Sequence, residues 1–284
     1  MSRIRLLALD IDGTLVGSDL TLRDRTVDAV RAAVDRGVRV SICTGRMASS
    51  AVGFARTLGL RDPLVAYQGA LIREMPPAGT TRVGRLLLHT PLPADAARAA
   101  VRWAEERGLA PHVNHLERFI IGADDPNAED YSAFLGARAE LVPDLADSID
   151  RPISKVLAVG DADAIRAAYE AVPAVFGGRV GATVSHPRFI EFLSPGASKG
   201  RAVRWLARRA GVGLDETMAI GDQLNDLEMI ATVGHGVAMA GAPAEVRAVA
   251  RWVAPPVEEE GAAIAIERLV LGRGGPVPPA GALR

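Results

Sequence analysis

Cysteine, lysine and asparagine are almost missing from this chain. The single cysteine, Cys43, excludes an internal disulfide and fits a reducing compartment such as the cytoplasm. Of 33 lysines and arginines only Lys155 and Lys199 are lysine, and the only asparagines are Asn114, Asn127 and Asn225. A chain that defaults to arginine keeps a lysine where a compact ammonium is wanted in place of a planar fork. Net charge is nearly absent as well, at −1 over 284 residues. That balance offers no footprint for nucleic acid or an anionic membrane surface. No apolar run approaches the roughly 20 residues that span a bilayer, and Met1-Ser2-Arg3 leads straight into an apolar strand with no leader pattern.

What is present is globular: 49% hydrophobic and 24% charged. The length suits one large or two ordinary domains. Strand and helix alternate at the start. Ile4–Leu9 reads as a buried strand, Arg23–Arg36 as a helix stopped by Gly37, and Val38–Cys43 as the next strand. Met47–Leu58 is a helix, and Leu64–Tyr67 a third strand. The end repeats this pattern from Lys199–Ala210 to Gly261–Leu271. The middle is a mixture, with hairpins at Ala110–His115/Arg118–Gly122 and Arg179–Ser185/Phe189–Leu193 and a helix at Asn127–Leu135.

These patterns predict an α/β fold with a Rossmann-like, doubly wound parallel sheet built from both ends of the chain, and an α+β unit inserted between them. The expected division is 1–84 with 189–272 for the core, 85–188 for the insertion, and a loose Gly/Pro-rich tail at 273–284.

Four short segments fall at core strand ends or a helix start: Asp10-Ile11-Asp12-Gly13-Thr14, Cys43-Thr44-Gly45-Arg46, Ser198-Lys199-Gly200, and Gly221-Asp222-Gln223-Leu224-Asn225-Asp226. Open α/β sheets bind ligands at that edge. A cluster of acids there needs a metal, a proton or a cationic partner. Asp10, Asp12 and Asp222 offer the hard oxygens that Mg²⁺ takes beside a substrate phosphate. Thr44, Gly45 and Lys199 offer a hydroxyl, a close backbone and a point charge for phosphoryl oxygens. An aspartate can attack phosphorus, and a second acid can move the proton.

The four segments, in this order and at these separations, resemble the signature motifs of the haloacid dehalogenase superfamily, and the wider pattern resembles its Cof-type phosphatases with a large type IIB cap. Glu191-Phe192-Leu193-Ser194-Pro195-Gly196-Ala197-Ser198-Lys199-Gly200, Gly236-Val237-Ala238-Met239 and Trp252-Val253-Ala254-Pro255 support the match. The resemblance implies Asp10 as nucleophile and Mg²⁺ ligand, and Asp12 as general acid/base with its carbonyl on the metal. It implies Asp222 as the third metal ligand, and Ile11, Thr44, Gly45, Lys199 and Asn225 as phosphate contacts. Arg46 and Asp226 stand behind them. One departure is Gln68-Gly69-Ala70, where relatives carry Asn-Gly-Ala. In the cap, His112, Asn114 and Arg118 are the candidates for substrate contacts.

The expected activity is Mg²⁺-dependent hydrolysis of a small phosphorylated metabolite, a sugar phosphate or a nucleotide or cofactor phosphate. A phosphotransferase or phosphomutase on the same scaffold and a non-catalytic phosphometabolite sensor are the rivals. Other readings fare worse. An EF-hand calcium loop would want an acid where Thr14 stands and Glu at Thr21. No Gly-x-Gly-x-x-Gly follows the first strand, which disfavours a nicotinamide enzyme. Cys43 reads as a small buried apolar residue, and Trp103 and Trp205 as core.

Overall fold

The computed structural model describes all residues except 1–2, 81–82, 126–127, 129–131, 133–137, 276–278 and 284. Along the chain the strands are β1 (Leu6–Leu9), β2 (Arg39–Ile42), β3 (Leu64–Ala66), β4 (Leu71–Arg73) and β5 (Leu86–His89). Then come β6 (Ala110–His115), β7 (Arg118–Gly122), β8 (Glu140–Val142), β9 (Lys155–Val159), β10 (Gly181–His186) and β11 (Phe189–Leu193). Last are β12 (Thr217–Gly221), β13 (His235–Met239), β14 (Trp252–Ala254) and β15 (Gly281–Ala282). The core sheet has the order β15-β14-β13-β12-β1-β2, and its pairs are parallel.

Burial explains why the first strand reads as an unbroken apolar run. Leu7 and Leu9 enter one core cluster, and Leu6 and Ala8 enter another on the opposite face. A strand covered on both faces has no solvent side on which to alternate. Helices Asp24–Asp35 and Gly261–Leu269 pack together on the first face, and Lys199–Ala210 lies on the other. The last is well terminated: Ser198 Oγ accepts from the Arg201 N–H, and Gly211 ends the helix at φ 62°.

The inserted unit has its own sheet, ordered β10-β11-β9-β6-β7-β8, and its own apolar cluster. Both hairpins expected there form. Most of the helix expected at Asn127–Leu135 lies outside the described residues. Two boundaries differ from the sequence division at 85 and 189. Phe189–Leu193 pairs with β9 and β10, so the last strand of the insertion extends to Leu193. At the other end β5 pairs with β4, and Leu87 and Leu88 pack on a core cluster, whereas Leu92 joins the cap cluster. Strand pairing crosses the apparent boundary in both places, and composition alone does not register it. We place the cap at about residues 90–193.

Two further expectations change. β3 touches the main sheet through a single bridge, Cys43 to Val65, and otherwise pairs antiparallel with β4. The tail is not loose at its end: Gly281–Ala282 adds a parallel edge strand to β14, Leu283 is buried, and Pro279 accepts from the Trp252 indole N–H. Among the described residues no helix is long and apolar enough to cross a membrane.

Candidate active site

Sheet order assembles the site. β1 sits between β12 and β2, in register Leu9 to Ile220 and Leu9 to Ile42. From β1 the chain passes to β2 on one side, and the later strands β12, β13 and β14 are added on the other, so the strand order reverses at β1 and makes this edge a topological switch point. Asp10, Thr44 and Asp222 each follow the end of one of these three strands and so arrive together. The Asp10 N–H donates to Ile220 O, tying the first and fourth segments directly.

Lys199, the first residue of its helix, is fully buried. Its ammonium lies 2.8 Å from Asp10 Oδ1 and 2.6 Å from Asp226 Oδ1. Burial pulls its pKa down, but Asp10 and Asp226 outweigh that and raise it, so Lys199 is charged. The second oxygen of Asp226 accepts from the Asp222 and Gln223 N–H groups at 2.9 and 3.2 Å. Asp226 therefore has both oxygens engaged and acts as a brace for Lys199 and the Asp222 turn. Asp222 Oδ1 accepts from Thr14 Oγ1 at 3.0 Å. A side chain on Gly13, which has φ 77°, would collide with the Asp222 carboxylate.

Asp10, Asp222 and Asp226 have carboxylate oxygens within 4.8 Å of one another. Burial first, and then the neighbouring acids, hold Asp10 well above the usual carboxylate range and push Asp222 up to about 7. The donor set suits a divalent cation. Asp10, Asp12, Asp222 and Asp226 converge on two cations, Arg46 and Lys199, which leaves negative charge uncompensated when all four acids are ionised. With Asp226 occupied, the side chains that could hold the ion are Asp10 and Asp222. Hard carboxylate oxygens are the ligands Mg²⁺ prefers.

Asp12 lies outside this tight cluster. Its side chain is 48% exposed, and Arg46 grips it with Nε and Nη2 at 2.7 and 2.5 Å. Arg46 is itself braced over the Phe54 ring at 5.3 Å. Thr44 is buried, and its Oγ1 accepts from the Arg46 N–H, so the turn after β2 holds its own shape. Ile11 is buried too, and its carbonyl accepts from the N–H groups of Thr14, Leu15 and Val16. Cys43 behaves as expected of a small core residue, with burial pushing its thiol up to about 12.

A cavity of about 510 Å³ opens over Asp10, Asp12, Asp222, Asn225, Gly45 and Arg46, and the cap roofs it. Of the three cap candidates none lines it. His112 is fully buried against Asp125 and the edge of Phe119. Asn114 is buried beside Lys155, and Arg118 pairs with Glu140. His112 and Asn114 are on the right face, directly opposite Leu157 and Lys155, but one strand too far from the opening.

The cap residues that do line the cavity are Lys155, Leu157, Ser185, His186, Phe189 and Glu191. Lys155 donates to Glu191 Oε2 at 2.5 Å and to the Gly45 carbonyl at 2.8 Å, so a cap lysine holds the core's Thr44–Gly45 turn. Lys155 was not among the expected site residues; its rarity as a lysine is the sequence signal that could have found it.

Gln68 resolves the departure from the Asn-Gly-Ala pattern. It is buried at φ 56°, next to Tyr67 at φ 50°, in a turn that holds two non-glycine residues in the left-handed region. Its amide donates to Glu191 and accepts from Asn225 Nδ2 at 2.9 Å, reaching cap and core at once. A side chain at Gly45 would collide with the Gln68 amide nitrogen.

Comparison with known proteins agrees with this geometry. The family model described as haloacid dehalogenase-like hydrolase matches residues 7–266. An HMP-PP phosphatase of Serratia proteamaculans is 30% identical over 251 residues, covering 86% of this chain and 87% of its own. A 5-amino-6-(5-phospho-D-ribitylamino)uracil phosphatase of Bacillus subtilis is 27% identical over 295 residues, covering 95% and 99%. A haloacid dehalogenase-like hydrolase from Bacteroides thetaiotaomicron superposes with a TM-score of 0.79 at 26% identity, over 94% of this chain and 99% of that one.

Proposed function

This chain belongs to the haloacid dehalogenase-like hydrolase family, and from that premise we propose that it is a Mg²⁺-dependent phosphatase that hydrolyses small phosphomonoesters through an aspartyl-phosphate on Asp10. The observation that carries this reading is the contact of Asp10 Oδ1 with the buried Lys199 ammonium, 2.8 Å away, at the mouth of β1 beside Asp222.

One Asp10 oxygen attacks phosphorus in line with the departing alcohol, and the other, with two lone pairs, can face both the Lys199 ammonium and the metal. Mg²⁺ bound by Asp10 and Asp222 would neutralise charge between the carboxylates and the phosphoryl group. Lys199 and the Thr44–Gly45 turn hold the phosphoryl oxygens, and positioning of this kind supplies most of the catalysis in phosphoryl transfer. Asp12 gives its proton to the leaving alkoxide and then takes one from the water that opens the aspartyl-phosphate. Arg46 engages both oxygens of Asp12, so one contact loosens while the proton is carried. The cap excludes bulk water from the intermediate.

Phosphate release from a panel of metabolite esters, with Mg²⁺ and with EDTA, tests this reading. Activity should require the metal. The Asp10→Asn variant should fold and release no phosphate, and unimpaired turnover by it would sink the mechanism.

A further inference from the structure

The turn after β2 is held one carbonyl at a time. Thr44 O accepts from the Gln68 N–H at 3.0 Å, and Arg46 O accepts from the Tyr67 N–H at 3.1 Å. Both donors are core backbone. The Gly45 carbonyl between them takes its donor from the cap, the Lys155 ammonium at 2.8 Å. The same peptide unit is fixed at its other end, where the Arg46 N–H donates to Thr44 Oγ1 at 3.1 Å. A peptide is planar, so a hold on each end sets the orientation of the whole unit. Released at one end, a unit that begins at glycine turns over readily, because glycine restricts its backbone least.

A lysine stem is flexible, and this one is made rigid. Glu191 stands opposite Leu157, two residues along β9, so Lys155 and Glu191 share a face of the cap sheet. Glu191 Oε2 accepts from Lys155 at 2.5 Å, and Oε1 accepts from Gln68 at 2.6 Å and from Ser185. The ammonium also lies 5.5 Å from the centre of the Tyr67 ring, whose hydroxyl donates to the Leu116 carbonyl of the cap at 2.5 Å. This clamp packs directly on the turn: a side chain at Gly45 would strike the Gln68 amide and crowd the Glu191 carboxylate.

We infer that Lys155 is a positioning residue for phosphoryl transfer: held by Glu191, it fixes the Gly45–Arg46 peptide, so that the cap completes the phosphate-binding turn of the core. This rests on the phosphatase reading and deepens it. The role bears on the phosphoryl group that every substrate shares, and not on the alcohol that distinguishes one from another.

Lys155→Met alone would leave Glu191 as a buried charge without its partner, so the test combines it with Glu191→Gln. Removing both charges of a buried pair costs far less stability than removing one, and the double variant should unfold close to the wild-type urea midpoint. Its affinity for inorganic phosphate, measured by titration calorimetry with Mg²⁺, should fall about tenfold, as loss of one hydrogen bond to a charged group does. Glu191→Gln alone, which leaves the lysine in place, should lose about threefold at most. In the double variant kcat/KM for acetyl phosphate, glucose 6-phosphate and flavin mononucleotide should fall by one common factor. KM should carry most of it, since the turn holds phosphate in ground and transition states alike. Wild-type phosphate affinity in the folded double variant overturns the inference, and so does an equal loss in Glu191→Gln alone. A loss confined to one ester also overturns it, and makes Lys155 a contact of that ester's alcohol. Absence of phosphate release from every ester by the wild-type protein overturns the phosphatase reading, while the phosphate titration still decides the role of Lys155.

Discussion

Gln68 Nε2 donates to Glu191 Oε1 across 2.6 Å, a buried hydrogen bond from the turn after β3 to the last strand of the cap. The same amide accepts from Asn225, in the segment that carries Asp222. One side chain thus joins the cap, the fourth motif and, through Glu191 and Lys155, the Gly45 carbonyl of the second.

Shortening that side chain should break one of its two contacts. Gln68→Asn is expected to cost about 1–3 kcal/mol, the penalty for a buried polar group left unpaired, and to raise KM more than it lowers kcat. Urea unfolding and steady-state kinetics check this. A stability and a KM equal to wild type would remove Gln68 from the network.

Lys199 is a buried charge held between two buried carboxylates, Asp10 and Asp226. Lys199→Met should destabilise by about 3–5 kcal/mol, because Asp10 and Asp226 then stay buried without a counter-charge. Lys199→Arg should fail to rescue activity, since no space around a fully buried ammonium admits a planar guanidinium. Chemical denaturation and phosphate release measure the two effects separately.

Mg²⁺ should stabilise the folded protein. Binding to the native state alone raises stability by about 2.7 kcal/mol at a free concentration 100 times Kd. The EDTA-treated protein should show a lower Tm that recovers on Mg²⁺ titration, and Asp222→Asn should abolish the response. Ca²⁺ serves as the comparison ion.

His112 makes the cap sensitive to acid. Its ring is fully buried, and burial pushes its pKa down to about 4 despite Asp125, which pulls it up. The folded pKa lies below the ordinary 6.5, so the unfolded chain binds the extra proton first. This contribution to stability is complete above about pH 6.5 and is lost as pH falls toward 4, by about 3 kcal/mol at most. Urea midpoints at pH 7.5 and 5.0 should separate further in wild type than in His112→Gln.

Much of the fold was legible because parallel strands covered on both faces leave an apolar signature that helices punctuate, as Leu6–Leu9 and Lys199–Ala210 do. The cap boundaries and the tail were not. β5, β11 and β15 are assigned by the strands they pair with, and Gly281–Ala282 carries almost no propensity of its own. His112 and Asn114 show the limit for the site. Alternation along β6 places them on the correct face, but the distance from that face to the opening depends on strand order.

The sequence by itself determined which groups are gathered for the proposed chemistry: Asp10, Asp12, Thr44 and Asp222 follow core strand ends, and Lys199 opens a helix. Only the tertiary structure decided which groups remain available. Pairing between residues far apart in the chain commits Asp226 to Lys199, Arg46 to Asp12, and Lys155, Ser185 and Gln68 to Glu191. Such pairs form only when strands and helices distant in sequence come together, so no local pattern announces them.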